Sequence, residues 1–148
     1  MSKCWLCITT NENWNAIKAK EIWAVKESDQ KKLDRLTIRD LLVFYVKQRS
    51  DNDNIVGPQI KAVFQVDSTP FHDSTKLLPD SIPRERFTYR VRIKPVIVAR
   101  EGVDFKEIVP KIGFIKNKEK WFLYLQTAMR SIPKRDFDLL LSALESKA

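Results

Sequence analysis

Three sets of residues in this 148-residue sequence carry side chains that a binding or catalytic site needs. Thr9, Thr10, Asn11 and Asn13 form a short run of hydroxyls and amides, groups that both donate and accept and so suit the edge of a nucleobase. Aromatic residues are the second set: four Trp, eight Phe and three Tyr are enough to line a pocket that stacks on a flat ring. Among them Trp23 stands apart, because it follows a predicted helix within a patch too short for a long buried strand, which leaves pocket and core equally open. The third set is basic. Arg84, Arg86, Arg90, Arg92 and Lys94 cluster in sequence, and the last three share one strand face at a repeat of about 6.8 Å, near the phosphate spacing of an extended single strand. Lys116, Lys118 and Lys120, interrupted by Asn117 and Glu119, form a second basic loop beside Trp121.

Each set also has a purely structural explanation. Thr10 and Asn11 are good helix caps, Trp5 and Trp14 belong on packed faces, and charged strand faces and loops are often only solvated. Catalysis finds little support. His72-Asp73 are adjacent and cannot face each other productively, and neither Ser68 nor Ser74 stands in a nucleophile-elbow pattern. A single histidine removes H-E-x-x-H zinc chemistry. The three glycines, Gly57, Gly102 and Gly113, are isolated, so no P-loop or G-x-G-x-x-G turn forms, and no cofactor or metal is expected. Cys4 and Cys7 lie on a predicted strand at an odd separation. That puts the thiols on opposite faces roughly 10 Å apart, beyond disulfide reach.

The elements that must position these groups follow from pattern. Residues 1–148 suffice for one domain. A net charge of +8 favours an anionic partner, nucleic acid before acidic lipid. No apolar run has the length of a signal peptide or membrane span, so a soluble cytoplasmic protein without a membrane partner is expected. A strand over Cys4–Thr9 leads into a helix carrying Trp14, Ile17 and Lys18, then the patch Ile22–Val25. A short polar helix spans Lys31–Leu36, and a turn spans Thr37–Asp40. Strands Leu41–Val46 and Ile60–Val66 pair as an antiparallel hairpin across the turn-rich stretch Ser50–Pro58. Residues 68–86 are irregular. Beyond them a strand runs over Phe87–Ala99, with Pro95 marking an edge or a bulge. The last third is read as a turn or short helix over Phe105–Val109, a longer helix over Leu125–Ser131, and an amphipathic helix after Pro133 that stripes Phe137, Leu140, Leu141 and Leu144. Without a βαβ rhythm, this is an α+β domain around a curved, mostly antiparallel sheet.

The run Trp5-Leu6-Cys7-Ile8-Thr9-Thr10-Asn11-Glu12-Asn13-Trp14, followed by Ile22-Trp23-Ala24-Val25, resembles the opening of EVE-domain proteins. The resemblance continues through Leu42–Val46, Arg90–Pro95, and Phe114–Lys118 with Trp121, to Met129-Arg130 and Asp136. It implies a PUA-like fold, a twisted barrel-like sheet flanked by helices, and kinship with YTH domains, which hold a methylated adenine in an aromatic cage. Carried over by position, Trp23 corresponds to the cage tryptophan, and Thr9, Thr10, Asn11 and Asn13 to the polar turn of the pocket. Tyr45, Lys47 and Tyr89 are weaker matches. Phe71, His72 and Phe87 compete for the second wall. Arg39-Asp40 stands where a Gly-Asp turn is common, and Thr88 where a proline often precedes the tyrosine.

The resulting expectation is a non-catalytic module that reads a modified, methylated base of DNA or RNA. Pocket residues would be Thr9, Thr10, Asn11, Asn13, Trp23, Tyr45, Phe87 and Tyr89. Lys47, Arg90, Arg92, Lys94, Lys116, Asn117 and Lys118 would hold the backbone. Two other readings compete: an enzyme acting on a nucleotide or small molecule, with Asp67 or Asp73 as a poor acid or base, and a protein-interaction module whose charge only keeps it soluble.

Overall fold

The computed structural model describes residues 2–79 and 86–147. Strand β1 (Cys4–Thr9) is buried along its whole length. Its side chains alternate between two cores, Trp5 and Cys7 in one and Cys4, Leu6 and Ile8 in the other. The cysteines therefore do sit on opposite faces, both unpaired, and burial pushes the Cys7 thiol well up. Thr10 caps helix α1 (Asn11–Lys20) by accepting the Asn13 N–H on its side chain at 3.2 Å. The helix stops at Glu21 in the left-handed conformation, and β2 (Ile22–Val25) follows.

A 3-10 turn leads into the short α2 (Gln30–Leu33), then β3 (Leu41–Val46). The turn-rich stretch contains its own hairpin, β4 (Arg49–Asp51) and β5 (Asn54–Val56). Its two central residues, Asn52 and Asp53, have φ of 48° and 68°, the geometry that Asn and Asp tolerate best after glycine. Strand β6 (Gln59–Val66) pairs antiparallel with β3, as the sequence predicts. Then come the two-residue β7 (Phe71–His72) and the 16-residue β8 (Tyr89–Asp104). The chain finishes with α3 (Phe105–Ile108), β9 (Met129–Ile132) and α4 (Lys134–Glu145).

The sheet order is β2-β8-β6-β3-β1-β9, with β7 also on β8. Among the described residues only β1 and β3 run parallel; the other pairs are antiparallel. This is the α+β, mostly antiparallel sheet flanked by helices that the patterning predicts. It curls because β8 pairs with β2 over residues 89–92 and with β6 over residues 93–104. Pro95 lies opposite Phe64, where the β6–β8 register shifts, so the proline sits at the irregularity its missing N–H requires.

One expected element is absent. Residues 125–131 do not form a helix: a 3-10 helix covers Trp121–Leu125, and Met129–Ile132 extends as β9 along β1. The fully buried β1 has N–H and C=O groups on the side away from β3, and only a neighbouring strand can pair them all.

Arg39 takes φ of 82°, a conformation that suits glycine and strains an arginine. A glycine would take this conformation without strain. Arg39→Gly is expected to raise the unfolding free energy by about 0.5–1 kcal/mol, read from the urea midpoint.

Candidate functional site

The end of β1, the first turn of α1 and the middle of β2 meet around a cavity of about 550 Å³. Thr9, Thr10 and Asn13 contribute hydroxyl and amide groups to it, and Trp23 and Phe87 contribute aromatic surface. Thr9 and Asn13 are buried, and the Thr9 carbonyl accepts the Lys47 N–H at 2.9 Å, which fixes the turn against β3.

Trp23 is both core and wall. It is 3% exposed and meets Phe44 edge to face at 5.6 Å and 74°, yet it lines the cavity. Its buried indole N–H meets no acceptor among the described residues. Phe87, half-buried, is the one of the three second-wall candidates that shares this cavity, and the Lys26 ammonium lies 5.9 Å from its ring centroid. Phe71 and His72 are elsewhere, on β7. Phe71 lies beneath the Arg92 guanidinium at 5.7 Å, and His72 is edge-on to Tyr89 at 5.3 Å.

Three expected pocket residues fall outside the cavity. Tyr45 follows Phe44 on β3 and so faces the opposite core, where it packs edge-on against Phe105 at 4.9 Å and 89°. Burial there pushes its hydroxyl far up. Tyr89 pairs with His72 and Val25 on β8 and does not line the cavity. Asn11, at the start of α1, lines a neighbouring cavity of about 470 Å³ that shares Thr10 and Lys47 with the first.

Sequence reasoning missed other lining residues: Lys26, Asp29, Leu78 and the backbone stretch Gln126-Thr127-Ala128. The last was hidden by the helix expected there. Asp29 pairs with Lys32 at 3.7 Å, and Lys32 in turn donates to the Thr127 hydroxyl, so the two sides of the opening are tied together.

The basic set separates into structural and exposed members. Arg90 is buried, so it is not available to a phosphate backbone. Its guanidinium donates to the Phe87 carbonyl at 3.0 Å, to the Thr75 hydroxyl at 3.2 Å and to the Thr75 carbonyl, and it pairs with Asp73 at 3.5 Å. Burial pushes the Arg90 pKa down, against the opposing pull of Asp73. Hydrogen bonds from Thr75 above all, and then the Arg90 charge, hold the Asp73 carboxyl below the usual range. Asp73 thus anchors an arginine that anchors the Phe87 segment.

Arg92 and Lys94 remain on the surface of β8, Lys94 beside Asp67 at 3.8 Å. Arg84 lies outside the described residues. In the second cluster Lys116, Asn117 and Lys118 are all exposed, and the last two also shape their own loop. The Asn117 side-chain Oδ1 accepts the Glu119 and Lys120 N–H groups, each at 3.2 Å, and the Lys118 ammonium donates to the Ile112 carbonyl. None of Lys116, Asn117 and Lys118 lines the cavity beside Trp23. Among the described residues no group of three His, Cys, Asp or Glu side chains is placed to hold a metal ion.

A curled, mostly antiparallel sheet with helices on both faces, opening at the end of its first strand beside a tryptophan, defines the class as PUA-like. Within that class the chain belongs to the EVE-domain family, whose pattern residues 3–143 match. A UPF0310 protein of Pyrococcus abyssi is 42% identical over 141 residues, 95% of this chain and 98% of that protein. Two solved structures share the fold at low identity. Human THYN1 in complex with 5-methylcytosine-containing DNA superposes with a TM-score of 0.62 at 16% identity, covering 97% of this chain and 98% of that one. The YTH domain of the Zygosaccharomyces rouxii MRB1 protein in complex with N6-methyladenosine RNA gives 0.66 at 14% identity, covering 99% and 89%.

Proposed function

We propose that this protein is a non-catalytic reader that takes one modified base of DNA or RNA into the cavity beside Trp23. The observation that carries this reading is the convergence, in one cavity, of two aromatic side chains with the hydroxyl and amide groups of Thr9, Thr10 and Asn13. Stacking contributes about 1–3 kcal/mol per base. A methyl group adds only about 0.8 kcal/mol of apolar burial, so discrimination rests on how closely Trp23 and Phe87 enclose it. The fold shared with a protein bound to methylated DNA and a domain bound to methylated RNA supports the reading.

Lys26 and Lys47 at the cavity, with the more distant Arg92 and Lys94, supply the sequence-independent attraction. Arg90 belongs to a different category. Arg90→Gln is expected to lower the melting temperature by several degrees while leaving the salt dependence of binding unchanged, because it removes a buried hydrogen-bonding group rather than a phosphate contact. Arg92→Gln is expected to do the reverse, a lower salt slope at unchanged stability. Melting curves and oligonucleotide titrations at two salt concentrations separate the two.

The function itself is tested by capturing cellular nucleic acid on the protein and measuring its nucleosides by mass spectrometry. Enrichment of one modified nucleoside over input is expected. Captured nucleic acid with the input composition would leave a basic, unselective binder.

A further inference from the structure

The cavity next to the base pocket raises a separate question: what it holds. It measures about 470 Å³ and is lined on one side by the start of α1 and on the other by Lys47, Arg49 and Asp51 of the β3–β4 segment. Because Thr10 and Lys47 line both cavities, a group filling the second lies beside whatever fills the first. Arg49 is half-buried, and its Nη1 is wholly buried with no acceptor among the described residues. That nitrogen is out of reach of solvent and stays costly; the rest of Arg49 borders the cavity, where an oxyanion is the group a guanidinium pairs with best.

Other cations stand close to Arg49. Lys61 on β6 and Lys18 on α1 lie close enough that their charges register on one another: burial first, then the Arg49 and Lys18 charges, push the Lys61 ammonium down. Glu12 and Asp51 also line the cavity, so the site is not uniformly positive. The lining itself sets Lys47 and Arg49 against Glu12 and Asp51, and Lys61, near enough to Arg49 and Lys18 to register both charges, adds positive charge beside it.

We infer that this second cavity is a phosphodiester subsite, in which Arg49 and Lys47 grip the backbone linkage immediately next to the nucleotide whose base enters the Trp23 cavity. This rests on the reader function and adds a residue and a contact to it. A planar guanidinium offers two parallel N–H groups to the two non-bridging oxygens, whereas Lys47 adds a point charge at the boundary of the two cavities. The grip holds the strand in register, and the base pocket does the reading.

The test is a cycle between one protein change and one backbone change. Single-stranded oligonucleotides carrying one N6-methyladenine or one 5-methylcytosine are made with a neutral methylphosphonate at each linkage in turn, and titrated against the parent protein and Arg49→Gln. For the parent, one linkage adjacent to the modified base is expected to be sensitive, with affinity falling about three- to tenfold. Arg49→Gln is expected to lose a similar factor on the unsubstituted strand, and to lose little more when that linkage is neutral. Its salt slope should fall by about 0.7, the value for one phosphate contact on a single strand. Arg49→Lys should keep the slope and part of the affinity. Equal losses at every linkage in the parent, or a full additive loss in the cycle, would overturn the inference while the base preference stands. If the parent shows no preference for either modified base over its plain counterpart, the reader function itself falls, and the subsite with it.

Discussion

Trp23→Ala is expected to lose both discrimination between modified and plain bases and about 3–5 kcal/mol of stability. The stability loss follows from packing. Trp23 is 3% exposed and sits in the same core cluster as Trp5, Trp14, Phe44 and Phe64, with an edge-to-face contact on Phe44 at 5.6 Å. Phe44 also meets Trp14 at 5.1 Å and Phe64 at 5.5 Å, so a cavity at Trp23 opens into a ring cluster that cannot collapse without breaking those contacts. Trp23→Phe keeps a ring in place and is expected to cost much less stability. It shortens the wall, so it still weakens preference for the modified base. Urea unfolding and base titration on both variants separate the two roles: stability should track lost volume, and selectivity should fall in both.

Asp40→Ala is expected to destabilise the fold by about 3–5 kcal/mol without touching the pocket. Asp40 is completely buried and accepts four hydrogen bonds. The donors are the Lys3 N–H at 2.9 Å, the Trp5 indole at 3.3 Å, the Thr37 N–H at 3.0 Å and the Thr37 hydroxyl at 2.9 Å. Removing the carboxylate leaves the buried Trp5 indole and the part-buried Lys3 and Thr37 N–H groups without their acceptor. It also unties the entry to β3 from the start of β1, its parallel neighbour in the sheet. The urea midpoint should fall, while any variant that remains folded at low temperature should keep the base preference of the parent.

What could be read from the sequence, and what could not, follows from how local each signal is. The Thr10 cap, the alternation that splits Cys4 from Cys7, and the bulge at Pro95 are set by neighbours in the chain, and each is found where expected. Trp23 was legible as unusual because of its position after α1, but its double role as core and wall depends on Phe44, which arrives from another strand. Tyr45 fails as a pocket residue for a reason already present in the pattern. It is adjacent to the buried Phe44, and one step along a strand reverses the face. Arg90 shares the parity of Arg92 and Lys94, so alternation alone could not reveal that Phe87, Thr75 and Asp73 enclose it. The strand β9 was illegible because its extension is imposed by the edge of β1, more than 120 residues earlier in the chain, rather than by its own residues.

The most direct test follows the four tryptophan indole N–H resonances by NMR while N6-methyladenosine, 5-methylcytidine and their plain counterparts are added in turn. One modified nucleoside is expected to shift the Trp23 resonance saturably, at lower concentration than its plain counterpart, with Trp5 and Trp14 little changed. If modified and plain nucleosides shift Trp23 equally, or leave it unmoved while other surface signals respond, the cavity beside Trp23 does not read a modified base.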